Sequence, residues 1–359
     1  MGKILLVLMN KDNAAGLRRC LESLAKQSGE CRICECFDVL VMDGYSKDNS
    51  REVVEEFRRR YPCVEFRYQT VKGGVGPARV EVVRYAMNKG YSYIVWGDSE
   101  NIYHPLYMTS MRKCMDEDHE VLSGFTKVKH SSLWSRAFFW YHAYHILFSF
   151  LRDKHAPGNN KLTKTEVFTK VIYPPSSRSD DFFFTILALK RGIRFKHCPS
   201  AQVYVTMPST FDEVKAWQRA RVKGLIEGAL MVGLPMPPDL LPWSLFALMP
   251  VAIIALIVIA LLAPPPHCYV GLGLLAGIIA GFGVMAFILE RLAKKVYEAP
   301  KPLQGLLALW GMYLHAVFTL YYAVKYLLNF GKIKDRLVGK LEGVLRRFGF
   351  SPKLARIKQ

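Results

Sequence analysis

From the start of the chain to about Pro199, short runs of consecutive apolar residues alternate with stretches whose apolar residues recur every three or four positions. The runs KILLVLM, FDVLVMD, VEFRYQ and SYIVWGD read as buried strands, the first centred on Ile4 to Met9. Between them Leu17, Leu21 and Leu24 share one helical face. So do Val53, Val54 and Phe57, and then Val80, Val83 and Met87, with Gly90 as the stop. Strands alternating with amphipathic helices predict successive β-α units, hence an α/β domain with a mostly parallel sheet.

The pattern then changes. Ser131 to Arg152 is dense in aromatic residues, which fits either a helix at a membrane surface or a buried aromatic helix. Repeated prolines in residues 225–243 mark an interfacial linker. Ser244 to Ala263 carries no charge across 20 residues, enough to cross a hydrocarbon core of roughly 30 Å. His267 to Leu289 is equally apolar, and its glycines offer a surface for close helix approach, including self-association. Gly305 to Leu328 is interrupted by His315 and Lys325; it is expected to lie at the interface or re-enter, with a third span as the alternative. Lys332 to Lys358 holds nine basic and two acidic residues, with Ile333, Leu337, Leu341, Val344 and Phe348 at helical spacing, a pattern that predicts a basic amphipathic helix on anionic head groups. The expected organisation is a domain over 1–224, a linker over 225–243, a membrane region of two or three helices over 244–330, and a basic tail over 331–359.

Composition narrows the function. Of 359 residues, 51% are hydrophobic and 22% charged, which excludes a disordered chain and a small disulfide-stapled module. A formal charge of +19 points to anionic partners. The apolar run at the N-terminus is too short for a signal-peptide core and lacks a small-residue cleavage site. Five of the eight cysteines, Cys20, Cys31, Cys34, Cys36 and Cys63, crowd into the first 63 residues; a zinc site, disulfides and incidental loop thiols all remain open for them.

Candidate chemistry sits at strand ends. Asp43 ends one apolar run and precedes a turn, where a carboxylate meets ligands in an α/β crevice. VKGGVGPAR joins a glycine-rich loop to a helix, with Arg79 in a place to meet a diphosphate alongside backbone N–H groups. Asp98 and Glu100, two residues apart beyond a strand, are hard oxygen ligands suited to Mg²⁺ or Mn²⁺. Asp180 and Asp181 precede an apolar helix, where one carboxylate caps and the other is free to act as a general base. Gln218, Arg219, Arg221 and Lys223 offer phosphate-gripping groups just before the membrane runs.

In order, Asp43, Asp98-Ser-Glu100, Ser-Asp180-Asp181 and Gln218-Arg-Ala-Arg221 resemble the D, D-x-D, E/T-E-D and Q-x-x-R-W series of membrane-bound family 2 glycosyltransferases, the group of cellulose, hyaluronan and ceramide-glucoside synthases. The resemblance covers residues 3 to about 224, and NKDNAAGLRRCLESLAKQS is similar to that family's first strand-helix unit, with Asn13 at the usual Asn. It implies a GT-A fold, a nucleotide diphosphate sugar donor held by Asn13, Asp43, Arg79, Asp98, Gln218 and Arg221, a metal at Asp98 and Glu100, and Asp181 as the base of an inverting transfer. Glu100 replaces the second Asp of the family's pattern, Val222 its Trp, and Met9 a proline common at the end of the first strand.

The function expected is transfer of a sugar to a lipid or lipid-linked acceptor by an integral membrane protein whose catalytic domain is cytosolic. A processive polysaccharide synthase is the alternative within the class. A non-enzymatic membrane protein binding anionic ligands or nucleic acid is the alternative outside it; the two uncharged runs, and the lack of basic residues interleaved with aromatics on a strand, argue against nucleic acid.

Overall fold

A computed structural model describes residues 2–129, 132–147, 149–330 and 334–357. Lys332, Ile333 and Lys358 of the basic tail, and Ser131 of the aromatic segment, lie outside the described residues.

The four expected strands form, as β1 (Ile4–Asn10), β2 (Phe37–Asp43), β3 (Val64–Tyr68) and β4 (Tyr93–Asp98), separated by α1 (Ala14–Ala25), α2 (Ser50–Arg60) and α3 (Val75–Asn88). There follow β5 (Ile102–Tyr103), α4 (Tyr107–Cys114), β6 (Val121–Val128), three short helices α5 (Leu133–Phe138), α6 (Trp140–Leu147) and α7 (Ser149–Arg152), then β7 (Lys161–Lys164), α8 (Asp180–Lys190), β8 (Phe195–Val205) and α9 (Phe211–Val232). The sheet runs β3-β2-β1-β4-β7-β6-β8-β5. Its β3-β2-β1-β4 half is parallel, as β-α crossovers require, and β7 pairs antiparallel with β4 and β6. All seven residues of β1 are buried, so this central strand has no polar alternation. The architecture is a GT-A-like α/β domain followed by C-terminal helices long and apolar enough to span a membrane.

Three disulfides tie the domain: Cys31–Cys36, Cys34–Cys63 and Cys114–Cys198. The CRICEC cluster therefore folds back onto Cys63 as a knot of two bridges.

The C-terminal third departs from the expected boundaries. α9 continues past residue 224 to Val232, burying Leu225, Ala229 and Val232, and stops at Gly233 in the left-handed region with φ 84°. The first apolar run is two helices, α10 (Leu240–Ala247) and α11 (Met249–Leu262), bent by 46° where Pro250 withholds an N–H from the ladder. α12 (His267–Val296) returns, and its last turns, with Leu289, Leu292, Ala293 and Val296, enter the core of the α/β domain. Gly271 packs against α11, while Gly273, Gly277, Gly281 and Gly283 have open space beside them.

α13 (Gln304–Phe330) lies along the domain. Arg136 of α5 donates to Gln304 and to the Pro302 carbonyl, Gly311 meets the Ala137 carbonyl so closely that no Cβ fits, and Arg219 of α9 reaches the Tyr326 hydroxyl at 3.3 Å. Both ends of α13 are thus held by the same domain.

The tail corrects the expectation of a helix laid on head groups. α14 (Lys334–Arg347) turns Leu341 and Leu345 into the domain core, followed there by Phe350 and Ala355. Arg191 clamps the segment after it, donating to the carbonyls of Lys353 and Arg356 at 2.9 Å each. The apolar face that the sequence pattern assigned to lipid is satisfied by protein.

Candidate active site

Two cavities meet at the C-terminal end of β4. The outer one, about 770 Å³, is lined by the ends of β1 and β2, the loop before α3, and Asp98, Ser99, Glu100, Arg178 and Thr206. The inner one, about 400 Å³, lies between α6, α8 and α9 on one side and α10, α12 and α13 on the other. Val75, Asp98 and Arg178 line both.

The outer cavity sits outside the carboxyl ends of the parallel strands, where α/β sheets bind ligands. Asn13 borders it, capping α1 through Gly16 N at 3.2 Å and donating to Ser99 Oγ. Asp43 is wholly buried beneath it and accepts from Asn10 Nδ2, Ser46 N and Ser46 Oγ, all at 2.7 Å. Its carboxylate therefore shapes the β2-α2 turn rather than facing the cavity. That turn presents Tyr45, stacked on Tyr68 at 5.5 Å with Lys72 over its ring, a flat platform that the sequence reading missed.

Asp98 and Glu100, expected as a metal-binding pair, both line the outer cavity. Burial first, then the Asp98 charge, pushes Glu100 up to about 7, and burial also raises Asp98 against the opposing pull of Arg79 and Arg178. Both carboxylates are hard oxygen donors of the type a divalent cation takes. Among the described residues no third His, Cys, Asp or Glu joins them.

The glycine-rich loop does different work from that expected. Gly73 and Gly74 line the outer cavity, but the first N–H groups of α3, from Val75 and Gly76, donate to the carbonyls of Ser177 and Ser176. Arg79 turns away from the donor side. It pairs with Asp180 at 3.4 Å, donates to the Gly158 carbonyl at 2.8 Å, and lies over the rings of Trp96 and Tyr173.

The turn at residues 176–179 then delivers α8. Ser177 N is held by Glu227 at 2.8 Å, and Ser179 adopts a left-handed conformation with φ 59°. Asp180 is buried against Arg79, and both Asp180 and Asp181 line the inner cavity. Burial alone would raise the Asp181 carboxyl, but Arg79, Lys161 and His155 outweigh it and hold it below the usual range. Lys161 is fully buried, its ammonium lying 4.9 Å from the Tyr173 ring centre and 5.0 Å from that of Phe184. Nothing in its sequence neighbourhood signals this role.

Gln218 and Arg221 are buried and bind protein. Gln218 contacts His315 of α13 at 2.9 Å, and Arg221 reaches Gln218, Thr319 and Asp239. Arg221 also borders the inner cavity; Gln218 fastens α9 to α13 behind it. Arg178, at the junction of the cavities, was not anticipated: a surface arginine in a serine-rich turn carries no pattern of its own.

The strand order and the crevice at the carboxyl ends of the parallel strands are GT-A-like. Residues 4–170 match the family model described as Glycosyl transferase family 2, so the chain carries a glycosyl transferase family 2 domain and is a glycosyltransferase. Among solved structures it is similar to a mannosyltransferase from Pyrobaculum calidifontis in complex with GDP-Man and Mn²⁺, at 16% identity and a TM-score of 0.60, over 90% of this chain and 87% of that one. Two others are S. aureus TarS 1–349, at 15% identity and a TM-score of 0.42 over 92% of each chain, and GalNAc-T7 with UDP, GalNAc and Mn²⁺, at 12% identity and 0.46 over 61% of this chain and 47% of that one. No curated protein matches the sequence.

Proposed function

We propose that this protein is an inverting, metal-dependent glycosyltransferase that moves a sugar from a nucleotide diphosphate to a membrane-embedded acceptor. The observation that carries the reading is the meeting of the two cavities: an outer one edged by a carboxylate pair, and an inner one with Asp181 in it and apolar helices for its far wall. The outer volume suits a nucleotide sugar, and the Tyr45–Tyr68 stack suits a base. A Mg²⁺ or Mn²⁺ ion held by Asp98 and Glu100 would neutralise charge on the leaving diphosphate. Asp181 takes the proton of the acceptor hydroxyl, and Arg178 meets the diphosphate from the junction. Attack from the side opposite the leaving group inverts the anomeric centre.

Membrane attachment is supported by α12, which with α13 is long and apolar enough to cross a membrane, and by the bent pair α10–α11, which reaches that length only taken together. With both ends of α13 held by the domain and the tail docked on it, we read the topology as two crossings with α13 in the plane of the interface. The disulfides accord with a cytosolic domain only where intracellular disulfides persist, as in hyperthermophiles.

Membranes containing the protein, incubated with radiolabelled UDP- and GDP-sugars and then extracted, test the reading. Label should enter the lipid phase with one donor, vanish with chelator, and fall at least ~10²-fold in Asp181→Asn. Polymeric product would favour a processive synthase, and metal-independent transfer would overturn the ion's role.

A further inference from the structure

The turn at residues 176–179 hangs between two helices. On one side the first N–H groups of α3, from Val75 and Gly76, donate to the carbonyls of Ser177 and Ser176 at 3.3 and 3.2 Å, so the loop that edges the outer cavity lies directly on the turn. On the other side is α9. Glu227 accepts from Ser177 N at 2.8 Å, the Arg221 carbonyl accepts from Ser179 Oγ at 3.3 Å, and Gly224 meets the Arg178 carbonyl so closely that no Cβ fits. Glu227 stands out in this set, because it is an acidic residue only 6% exposed, between Ile226 and Gly228, which are buried as well. A carboxylate in such a place needs its oxygens bonded. One takes the Ser177 N–H; the other lies 3.6 Å from Lys223, whose side chain is 45% exposed and gives a weak, solvated pair. The strong, enclosed bond of Glu227 is therefore the one to the turn. That turn carries Arg178, which lines both cavities, and leads straight into Asp180 and Asp181 of α8. Burial raises both carboxyls of the Asp98 and Glu100 pair, and the charge of Arg178 opposes it at each. Glu227 itself lines neither cavity, so whatever it does there it does through Ser177.

We propose that Glu227 is a positioning residue of the donor site: by holding the Ser177 N–H it fixes Arg178 where the guanidinium meets the diphosphate of a nucleotide sugar. This rests on the transferase reading of the same site. Without the Glu227 carboxylate the turn keeps its bonds to α3 but loses its tie to the buried side of α9, and Arg178 is no longer set against the carboxylate pair. Small displacements of a charged contact of this kind are costly.

The full chain in phosphatidylcholine nanodiscs, with Mn²⁺ present, is titrated with UDP, GDP, UMP and GMP, and the ratio of diphosphate to monophosphate affinity for the preferred base is read. A merely structural role weakens both nucleotides together and leaves the ratio alone. Arg178→Met should lower the ratio at least ~10-fold, the size of one lost charge-assisted hydrogen bond. Glu227→Ala should lower it by a similar factor, and the double variant should fall no further than Arg178→Met, because both changes remove one contact. Glu227→Gln, whose amide oxygen still accepts from Ser177 N, should restore the ratio. Melting curves show whether each variant is folded. The proposal is overturned by a Glu227→Ala protein with the wild-type ratio, by losses that add in the double variant, or by a Glu227→Gln protein no better than Glu227→Ala, which would assign the effect to the pair with Lys223. A wild type that binds none of the four nucleotides would instead sink the transferase reading beneath it.

Discussion

Arg79 and Asp180 form an ion pair 3.4 Å long, with side chains 4% and 3% exposed, in the wall of the inner cavity that Asp181 also lines. Removing one partner of such a pair leaves the other buried without compensation, at a cost of about 3–5 kcal/mol. Arg79→Met should accordingly lower the unfolding temperature substantially. It should also raise the Asp181 pKa, because Arg79 is the main group holding it down against burial. In the wild type the base stays ionised below the ordinary carboxylate range, so activity lost to its protonation disappears only at low pH. In the variant that acid limb shifts to higher pH. Thermal melts and a kcat–pH profile check both effects. Unchanged stability with only a raised donor KM would assign Arg79 to the diphosphate instead.

Gly158 lies against the same cluster. A Cβ at this position would stand 2.8 Å from both Arg79 Nη2 and Asp181 Oδ2. Gly158→Ala should push the base aside and lower kcat by at least ~10-fold, since small misplacements of a reacting group are costly. Nucleotide affinity should persist, as measured by titration with Mn²⁺ present.

The docked tail predicts a stability effect where the sequence pattern predicts a membrane effect. Truncation after residue 333 exposes the core that Leu341, Leu345 and Phe350 cover. At about 1.5–3 kcal/mol for each large apolar side chain, the domain should lose several kcal/mol. Melts in detergent should show the loss, while flotation of the truncated chain with vesicles should not change.

Cys268 is a native topology probe. It stands in the first turn of α12, next to the hairpin tip, and is partly exposed. In sealed vesicles with the catalytic domain outside, a membrane-impermeant maleimide should leave Cys268 unlabelled until detergent is added, with Cys20 buried throughout. A cysteine placed at Ser351 should label at once; protection there would mean that α13 spans.

Reduction is the fifth test. Cys114–Cys198 closes 84 residues between α4 and β8, and loop-closure entropy for a span of that size is worth about 4 kcal/mol. Melting with and without a strong reductant should differ by several degrees or more, with the Cys114→Ser, Cys198→Ser double variant giving part of that shift, since the reductant also opens Cys31–Cys36 and Cys34–Cys63.

Local pattern carried the strands and helices of residues 4–98, because period-two and near-continuous apolar runs report burial directly. Local pattern also set Asp98 and Glu100 just past a strand end and Asp180 and Asp181 at a helix start; the choice of Asp181 over Asp180 came only from the family resemblance. The linker boundary failed locally for the opposite reason: prolines after residue 234 mark where a helix cannot continue, and say nothing of how far α9 runs before them.

What the amino-acid order determined by itself was the identity and sequence of the elements and which of them are apolar enough for lipid. The tertiary structure decided partners. The face of α14 is the same amphipathic stripe whether it meets head groups or Phe350 and the domain core, since apolar residues at helical spacing record that one side avoids water and not what covers it. Arg79 carries the same charge beside a diphosphate or beside Asp180, and only the packing of α3 against the turn at residues 176–179 chose the carboxylate. Pairing of charges, thiols and apolar faces is long-range and many-to-one, so it became definite only once the sheet had brought residues more than 100 positions apart within a few ångströms of each other.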